Sequence, residues 1–152
     1  MMKISVAIDI SCKSEEVFPW IDEPDKAKLW QKGVKGGEII KEVPGKIGTT
    51  FIETMEEDGK SLDMHGTVTN YIPNELISFH LESKIHRVQA TYSIKSETGR
   101  SIVVIDSLIK WKFPMNIISL FIGSKIKAKI QDQTRFELSE LKRICEARNN
   151  EI

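Results

Sequence analysis

The sequence contains few cysteines: Cys12 near its start and Cys145 near its end. They form no CxxC pair and no Cys/His spacing typical of zinc sites, which excludes a disulfide framework and a zinc-stabilised fold. We expect two reduced thiols, and the alternative is a bridge between the chain ends. Reduced cysteines are typical of a cytoplasmic protein.

The sequence also lacks a long hydrophobic run. Its longest apolar stretch, 117–123, includes Ser119 and is far shorter than the ~20 residues that span a bilayer. Lys3, Asp9 and Lys13 interrupt the first apolar stretch, so no targeting signal opens the chain. We therefore predict a soluble, cytoplasmic protein.

An excess of one charge and the common catalytic motifs are missing too. The 22 basic side chains cancel the 22 acidic ones, which argues against a nucleic-acid partner. GxSxG, HExxH and GxGxxG do not occur, and the stretch 44–50 lacks the phosphate-loop pattern and is predicted to be a hairpin turn. His65, His80 and His86 are scattered, so we expect neither a metal nor a cofactor.

Period-2 alternation of apolar residues predicts seven strands. The first covers 3–12, where Ile4, Val6, Ile8 and Ile10 share one face. Turn sequences at Pro44-Gly45, Asp58-Gly59, Pro73-Asn74 and Thr98-Gly99 separate the later strands, which predicts an antiparallel meander. The six later strands are expected at 38–43, 49–56, 61–72, 76–83, 86–95 and 101–112.

Helical patterns flank this meander. Ser14 is the predicted cap of a short helix that Pro19 limits, and a second short helix is predicted over 22–31, with Leu29 and Trp30 buried. Gly33, Gly36 and Gly37 are expected to end that second helix. Apolar residues recur at three and four from about 116 to 147, which predicts a long C-terminal helix with a break near Gly123-Ser124.

Four local strings resemble the START-like superfamily, also called the polyketide cyclase/dehydrase and lipid-transport superfamily. They are Ser-Glu-Glu-Val-Phe at 14–18, the stretch from Asp25 to Trp30, Phe-Pro-Met-Asn at 113–116, and Phe-Glu-Leu-Ser-Glu-Leu-Lys at 136–142. The resemblance implies a single α+β domain over 1–152 with the helix-grip fold. In that fold a curved seven-stranded antiparallel sheet wraps around the long C-terminal helix, and two short helices lie between strands 1 and 2.

The resemblance also implies an apolar cavity between the sheet and the C-terminal helix, in which a small hydrophobic or lipid-like ligand binds. Strand parity places Glu53 and Tyr92 on its concave face, where a desolvated carboxylate or a hydroxyl would suit proton transfer or anchoring of a ligand. Gly66 marks a place where something approaches the backbone, and the methionines offer adaptable surface. The candidate ligand-binding residues are Phe51, Glu53, Met55, Met64, Gly66, Phe79, Tyr92, Ile109, Trp111, Ile122 and Ile126.

Two alternatives to simple binding or transport stay open. One is a cyclase/dehydrase-like enzyme in which Glu53 or Tyr92 moves protons. The other is a protein-interaction module that binds a partner through the apolar stretch 113–122. The same stretch could be buried in a symmetric dimer, so we expect either a monomer or a homodimer. Five lysines, Lys110, Lys112, Lys125, Lys127 and Lys129, surround that stretch, so transient contact with an anionic membrane surface is a further expectation.

Overall fold

The computed structural model describes residues 1–57 and 59–149. Two short helices separate the first strand from a run of six strands, and a long helix ends the fold. The elements are β1 (Met2–Ile10), α1 (Ser14–Asp22), α2 (Pro24–Ala27), β2 (Val34–Lys41), β3 (Thr50–Glu57), β4 (Lys60–Ile72), β5 (Leu76–Glu82), β6 (His86–Glu97), β7 (Arg100–Trp111) and α3 (Met115–Asn149).

The strands of the described residues form one antiparallel sheet in the order β1-β7-β6-β5-β4-β3-β2. Gly45, Asn74 and Gly99 adopt positive φ angles at the predicted turns, where such backbone is needed. Asp58, from the predicted Asp58-Gly59 turn, lies outside the described residues. The predicted antiparallel meander is confirmed, and the first strand, β1, pairs with the last strand, β7.

The register of the sheet puts the predicted apolar residues on one face. Phe51 pairs with Gly66, Phe79 with Ala90, and the next strand pairs Ala90 with Ser107. Because side chains alternate between the faces of a strand, these paired residues all point to the same side of the sheet. That side carries the core and the candidate site.

The long helix α3 is buried only over its last third. Leu138, Leu141 and Cys145 are its buried residues, whereas no residue from 115 to 137 is fully buried. The last third packs mainly on β1, where the Lys142 ammonium donates to the Asp9 carbonyl oxygen at 2.9 Å. Non-helical backbone at Ile122 kinks the helix, one residue before the break that the sequence predicts.

Three local predictions are wrong. The second helix spans only Pro24–Ala27 rather than 22–31. Leu29 is exposed rather than buried, whereas Trp30 is buried as predicted and its indole N–H bonds the Trp20 carbonyl oxygen at 2.7 Å. Ser14 is not the cap of α1, since Lys13 holds that position. The buried Ser14 hydroxyl instead hydrogen-bonds the Ser96 hydroxyl across to the sheet.

The second strand also begins earlier than predicted. It starts at Val34 and therefore contains Gly36 and Gly37, which were expected to end the second helix. Only Gly33 has a positive φ angle among these three glycines, so it alone requires the conformational freedom of glycine. Gly37 pairs with Glu53 on β3, which brings the strand to the edge of the candidate site.

We predict that Leu138→Ala lowers the free energy of unfolding by about 2–5 kcal/mol, because it leaves a cavity where α3 meets the core. Leu120→Ala is the matched control on the same helix: Leu120 is 81% exposed, so the change is expected within about 0.5 kcal/mol. Urea unfolding of both variants measures the difference. Equal losses would mean that the first half of α3 anchors the helix as strongly as the last third.

Candidate functional site

A cavity of about 140 Å³ lies between the concave face of the sheet and the segment 21–31, which includes α2. Its walls are mostly apolar and come from five strands as well as this segment. The lining residues are Ile21, Asp22, Pro24, Ala27, Lys28, Gln31, Val34, Gly37, Glu38, Ile39, Lys46, Thr49, Phe51, Glu53, Val68, Ile77, Phe79, Leu81, Ala90 and Tyr92.

The cavity does not lie where the sequence predicts it. No residue of α3 lines it, so the short helices rather than the C-terminal helix form its roof. The cause is the position of α3, whose buried last third packs mainly on β1. The strands β3 to β6 are left to face α1 and α2.

Four of the predicted site residues come together in this cavity: Phe51, Glu53, Phe79 and Tyr92. Three of them are aromatic and pack edge to face, with ring centroids 5.5 Å apart for Phe51 and Phe79 and 5.9 Å apart for Phe79 and Tyr92. Such edge-to-face pairs hold rings in defined orientations. One wall of the cavity is therefore a continuous aromatic surface.

Gly66 shares the same face but is covered by Phe51. A Cβ atom on Gly66 would lie 2.2 Å from the Phe51 ring, so the group that approaches this backbone is a side chain of the protein itself. The group that the sequence analysis expects at the Gly66 backbone is thus the Phe51 ring. The absence of a side chain at Gly66 lets the Phe51 ring lie close against β4.

The other predicted residues lie outside the cavity lining. Met64 and Ile109 are buried in the body of the protein, and Trp111 stacks on His86 with ring centroids 5.3 Å apart. Met55 is half-buried near Gly33. Ile122 and Ile126 lie on the first half of α3, one exposed and one half-buried.

One end of the cavity carries the polar groups Gln31, Glu53 and Tyr92. The Gln31 amide donates to the Tyr92 hydroxyl oxygen at 3.5 Å. Desolvation raises the pKa of Glu53, and no hydrogen bond to its carboxylate occurs within the described residues. Desolvation, with the charges of Glu53 and Glu137, raises the pKa of the Tyr92 hydroxyl well above its usual range. These groups make this end of the mostly apolar cavity polar and able to form hydrogen bonds.

Glu137 on α3 stands behind this polar end and was missed by the sequence reasoning. Its carboxylate accepts a hydrogen bond from the Lys32 backbone N–H at 3.2 Å. Desolvation raises the pKa of Glu137 to about 7, and the negative charge of Glu53 contributes to the rise. A signal was available, because Glu140 has Arg143 at helical spacing whereas Glu137 has no basic residue three or four positions away.

Asp22 is a further polar residue of the cavity lining. One carboxylate oxygen accepts a hydrogen bond from the Tyr71 hydroxyl at 2.9 Å, and the other lies 3.8 Å from the Lys46 ammonium. Burial and this contact with Asp22 raise the pKa of Tyr71 to about 12. That second oxygen is buried with no hydrogen bond, so it can still accept one from a bound molecule.

The cavity opens to solvent between α2 and β2. Lys28, Glu38 and Ile39 line it there, and all three are exposed. In the described residues no three His, Cys, Asp or Glu side chains come together in a way that could hold a metal ion.

Comparisons with known proteins agree with this fold. A family model described as polyketide cyclase/dehydrase and lipid transport matches residues 1–146. A search of curated proteins found no significant match. No helix within the described residues has the length and apolarity of a membrane span.

Solved structures similar to this chain come from several bacteria. A protein of Thermus thermophilus superposes with a TM-score of 0.80 at 15% identity, covering 96% of this chain and 98% of its own. A START superfamily protein from Mycobacterium smegmatis gives 0.79 at 15%, covering 95% and 97%. The Zhui aromatase/cyclase from a Streptomyces species gives 0.77 at 12%, covering 97% and 94%. At these identities the likeness confirms the helix-grip fold alone.

We predict that Glu137 makes stability fall as pH rises from 4.5 to 7. Its pKa is raised from 4.5 to about 7, so in this window the folded protein keeps a proton that the unfolded chain has released. Glu137→Gln removes that contribution. The free energy of unfolding of the variant, measured at half-unit steps of pH, should therefore fall less steeply than that of the wild type.

Glu140→Gln is the control on the same helix. Arg143 lowers the pKa of Glu140, so its contribution is lost only as pH falls below the window, and this variant should keep the wild-type slope. Identical slopes for all three proteins would mean that Glu137 is ionised normally and well solvated.

Proposed function

The chain belongs to the polyketide cyclase/dehydrase and lipid transport family, and from that premise we propose that its cavity binds a small hydrophobic molecule with a polar group at one end. One observation carries the proposal: an apolar cavity with an aromatic wall ends at Gln31, Glu53 and Tyr92. Ligand sites typically combine apolar walls with a few placed polar groups.

The volume of the cavity limits the ligand class. A space of about 140 Å³ is close to the volume of an apolar cavity that holds one aromatic ring (about 150 Å³). A full acyl chain needs more room than this. We therefore favour an aromatic ligand with one ring inside the cavity and at most a second ring in the opening between α2 and β2. Binding of a longer lipid would require the segment 21–31 to move away from the sheet.

The polar end favours a ligand that carries a hydroxyl group. Glu53 accepts no hydrogen bond within the described residues, and its raised pKa reflects the cost of leaving a charge there unpaired. A ligand hydroxyl that donates to Glu53 removes part of that cost. The same hydroxyl can accept from Tyr92, because its raised pKa keeps that side chain protonated.

The proposal includes a location and partners. Cys12 and Cys145 are buried free thiols, which supports a reducing compartment, the cytoplasm. Transport of the ligand would add transient contact with a membrane surface. The protein itself would be a monomer or a homodimer.

The test is calorimetric titration with 1-naphthol and with naphthalene. We expect 1-naphthol to bind more tightly, because only its hydroxyl can donate to Glu53. Ala90→Leu, which fills the cavity from the sheet, should weaken 1-naphthol binding at least tenfold. Ala7→Leu places the same extra atoms on the exposed face of β1 and should leave binding unchanged.

Circular dichroism confirms that both variants are folded before titration. Equal affinity of the wild type and Ala90→Leu for 1-naphthol would place the binding site elsewhere. Equal affinity for naphthalene and 1-naphthol would remove the role of the polar end.

A second candidate function is proton transfer at a carbonyl-activated carbon, as in a cyclase or dehydrase. The carboxyl of Glu53 favours it, because desolvation raises its pKa towards the range in which a general base works near neutral pH. Tyr92 lies at the same end of the cavity and can donate a hydrogen bond to a developing oxyanion. Substrate would then be a short aromatic or polyketide-like molecule.

This enzyme hypothesis makes its own prediction. Incubation with a poly-β-ketone thioester analogue should yield products that have lost water, detected by mass spectrometry. Glu53→Gln should lower that rate by about a hundredfold or more while 1-naphthol still binds. Glu56→Gln, on the opposite face of β3, is the control. No water loss with the wild type, or equal rates for both variants, would leave binding as the function.

A further inference from the structure

An apolar surface lies exposed where β7 ends and α3 begins. Phe113, Leu120 and Phe121 are 75%, 81% and 83% exposed, and Ile117, Ile118 and Ile122 are exposed beside them. Single exposed apolar residues are ordinary on protein surfaces, but six within ten residues form a patch of the kind that marks an interaction site. We call residues 113–122 the apolar lip.

Hydrogen bonds at the start of the apolar lip fix its position on the protein. The Lys112 backbone N–H bonds the Ile85 carbonyl oxygen at 2.8 Å, and the Lys112 ammonium bonds the Ser83 carbonyl oxygen at 2.7 Å. The first turn of α3 is closed by bonds from Asn116 to Lys112 and from Ile117 to the Pro114 carbonyl oxygen. The exposure of the lip is therefore a property of a structured helix end.

Positive charge flanks the lip on both sides. Lys110, Lys125 and Lys127 are exposed, and within the described residues they take part in no ion pair. No acidic residue occurs between Asp106 and Asp132. Apolar side chains flanked by lysines match the layers of an anionic bilayer, where acyl chains lie beneath phosphate groups.

We infer that the apolar lip docks on the surface of an anionic membrane, with the aromatic and aliphatic side chains in the interface and the lysines at the phosphates. This inference extends the proposed function and rests on it, because it names the surface through which the protein would reach a membrane that holds its small hydrophobic ligand. A second copy of the chain fits less well. A symmetric pairing of lips would bring lysines of both copies together, and the neighbouring carboxylate Glu82 is already paired with Arg87 and Lys112.

The test is co-sedimentation with phosphatidylcholine vesicles that contain or lack phosphatidylglycerol. We expect the wild type to bind the anionic vesicles and to be released by salt, because the lysine contribution is electrostatic. Lys125→Glu with Lys127→Glu should weaken the partition about thirtyfold or more. Phe121→Ser should also weaken it, and this loss should persist at low salt.

Two controls separate docking from other effects. Lys41→Glu with Lys95→Glu changes the net charge equally on exposed strand positions away from the lip, and it should retain vesicle binding. Every variant is also titrated with 1-naphthol. Lost vesicle binding with retained 1-naphthol binding supports the docking surface. Lip-dependent vesicle binding by a wild type that does not bind 1-naphthol supports docking while the proposed cavity function fails.

Two results would overturn the inference. One is equal binding of the wild type and Phe121→Ser to anionic vesicles. The other is absence of vesicle binding by the wild type. Sedimentation velocity then identifies the occupant of the lip: a dimer that Phe121→Ser converts to a monomer would assign it to a second copy of the chain.

Discussion

The packing of the last third of α3 on β1 is the constraint on which the rest of the arrangement depends. Leu138, Leu141 and Cys145 are the buried residues of that helix, and polar contacts from Lys142 and Glu146 to β1 and Ser11 fix its position. Because the helix packs at that edge of the sheet, the concave face of β3 to β6 must be covered by another part of the chain. The short segment 21–31 covers it but is too small to fill the curve of the sheet, and the cavity is the space that remains.

The polar end of the cavity works against stability. Two carboxyl groups, Glu53 and Glu137, are desolvated near the Tyr92 hydroxyl, and the pKa of each is raised mainly because burial disfavours its charge. Apolar side chains at these positions would fold without that cost. Perturbed pKa values of neighbouring groups in a cavity are typical of functional sites. The cost of the arrangement is therefore an argument for a role in binding or proton transfer.

The alternation of side chains along each strand predicted the residues of the concave face correctly. This alternation is a local property, because each residue points to the opposite face of the sheet from the residue before it. Phe51, Glu53, Phe79 and Tyr92 therefore meet as their alternation indicates. The position of the cavity and the place of Glu137 depend on how α3 crosses the sheet, which no local pattern encodes. Gly66 illustrates the same limit, since its partner Phe51 lies on the neighbouring strand and the contact arises only through their register. The Trp30 side chain likewise depends on a tertiary contact, a hydrogen bond to the Trp20 carbonyl oxygen.

The two unusual features of the molecule are connected by the same helix. Its last third is buried, so it stays in place, whereas the first two thirds lack any fully buried side chain and begin with an exposed apolar lip. A segment with few buried contacts opens at low free-energy cost, and the kink at Ile122 separates its first turns from the remainder. Contact of the lip with an apolar phase would stabilise those turns from outside. No residue of α3 lines the cavity, which opens between α2 and β2, so docking of the lip and entry of a ligand would use different parts of the molecule. The helix links them through Glu137, which lies behind the polar end of the cavity.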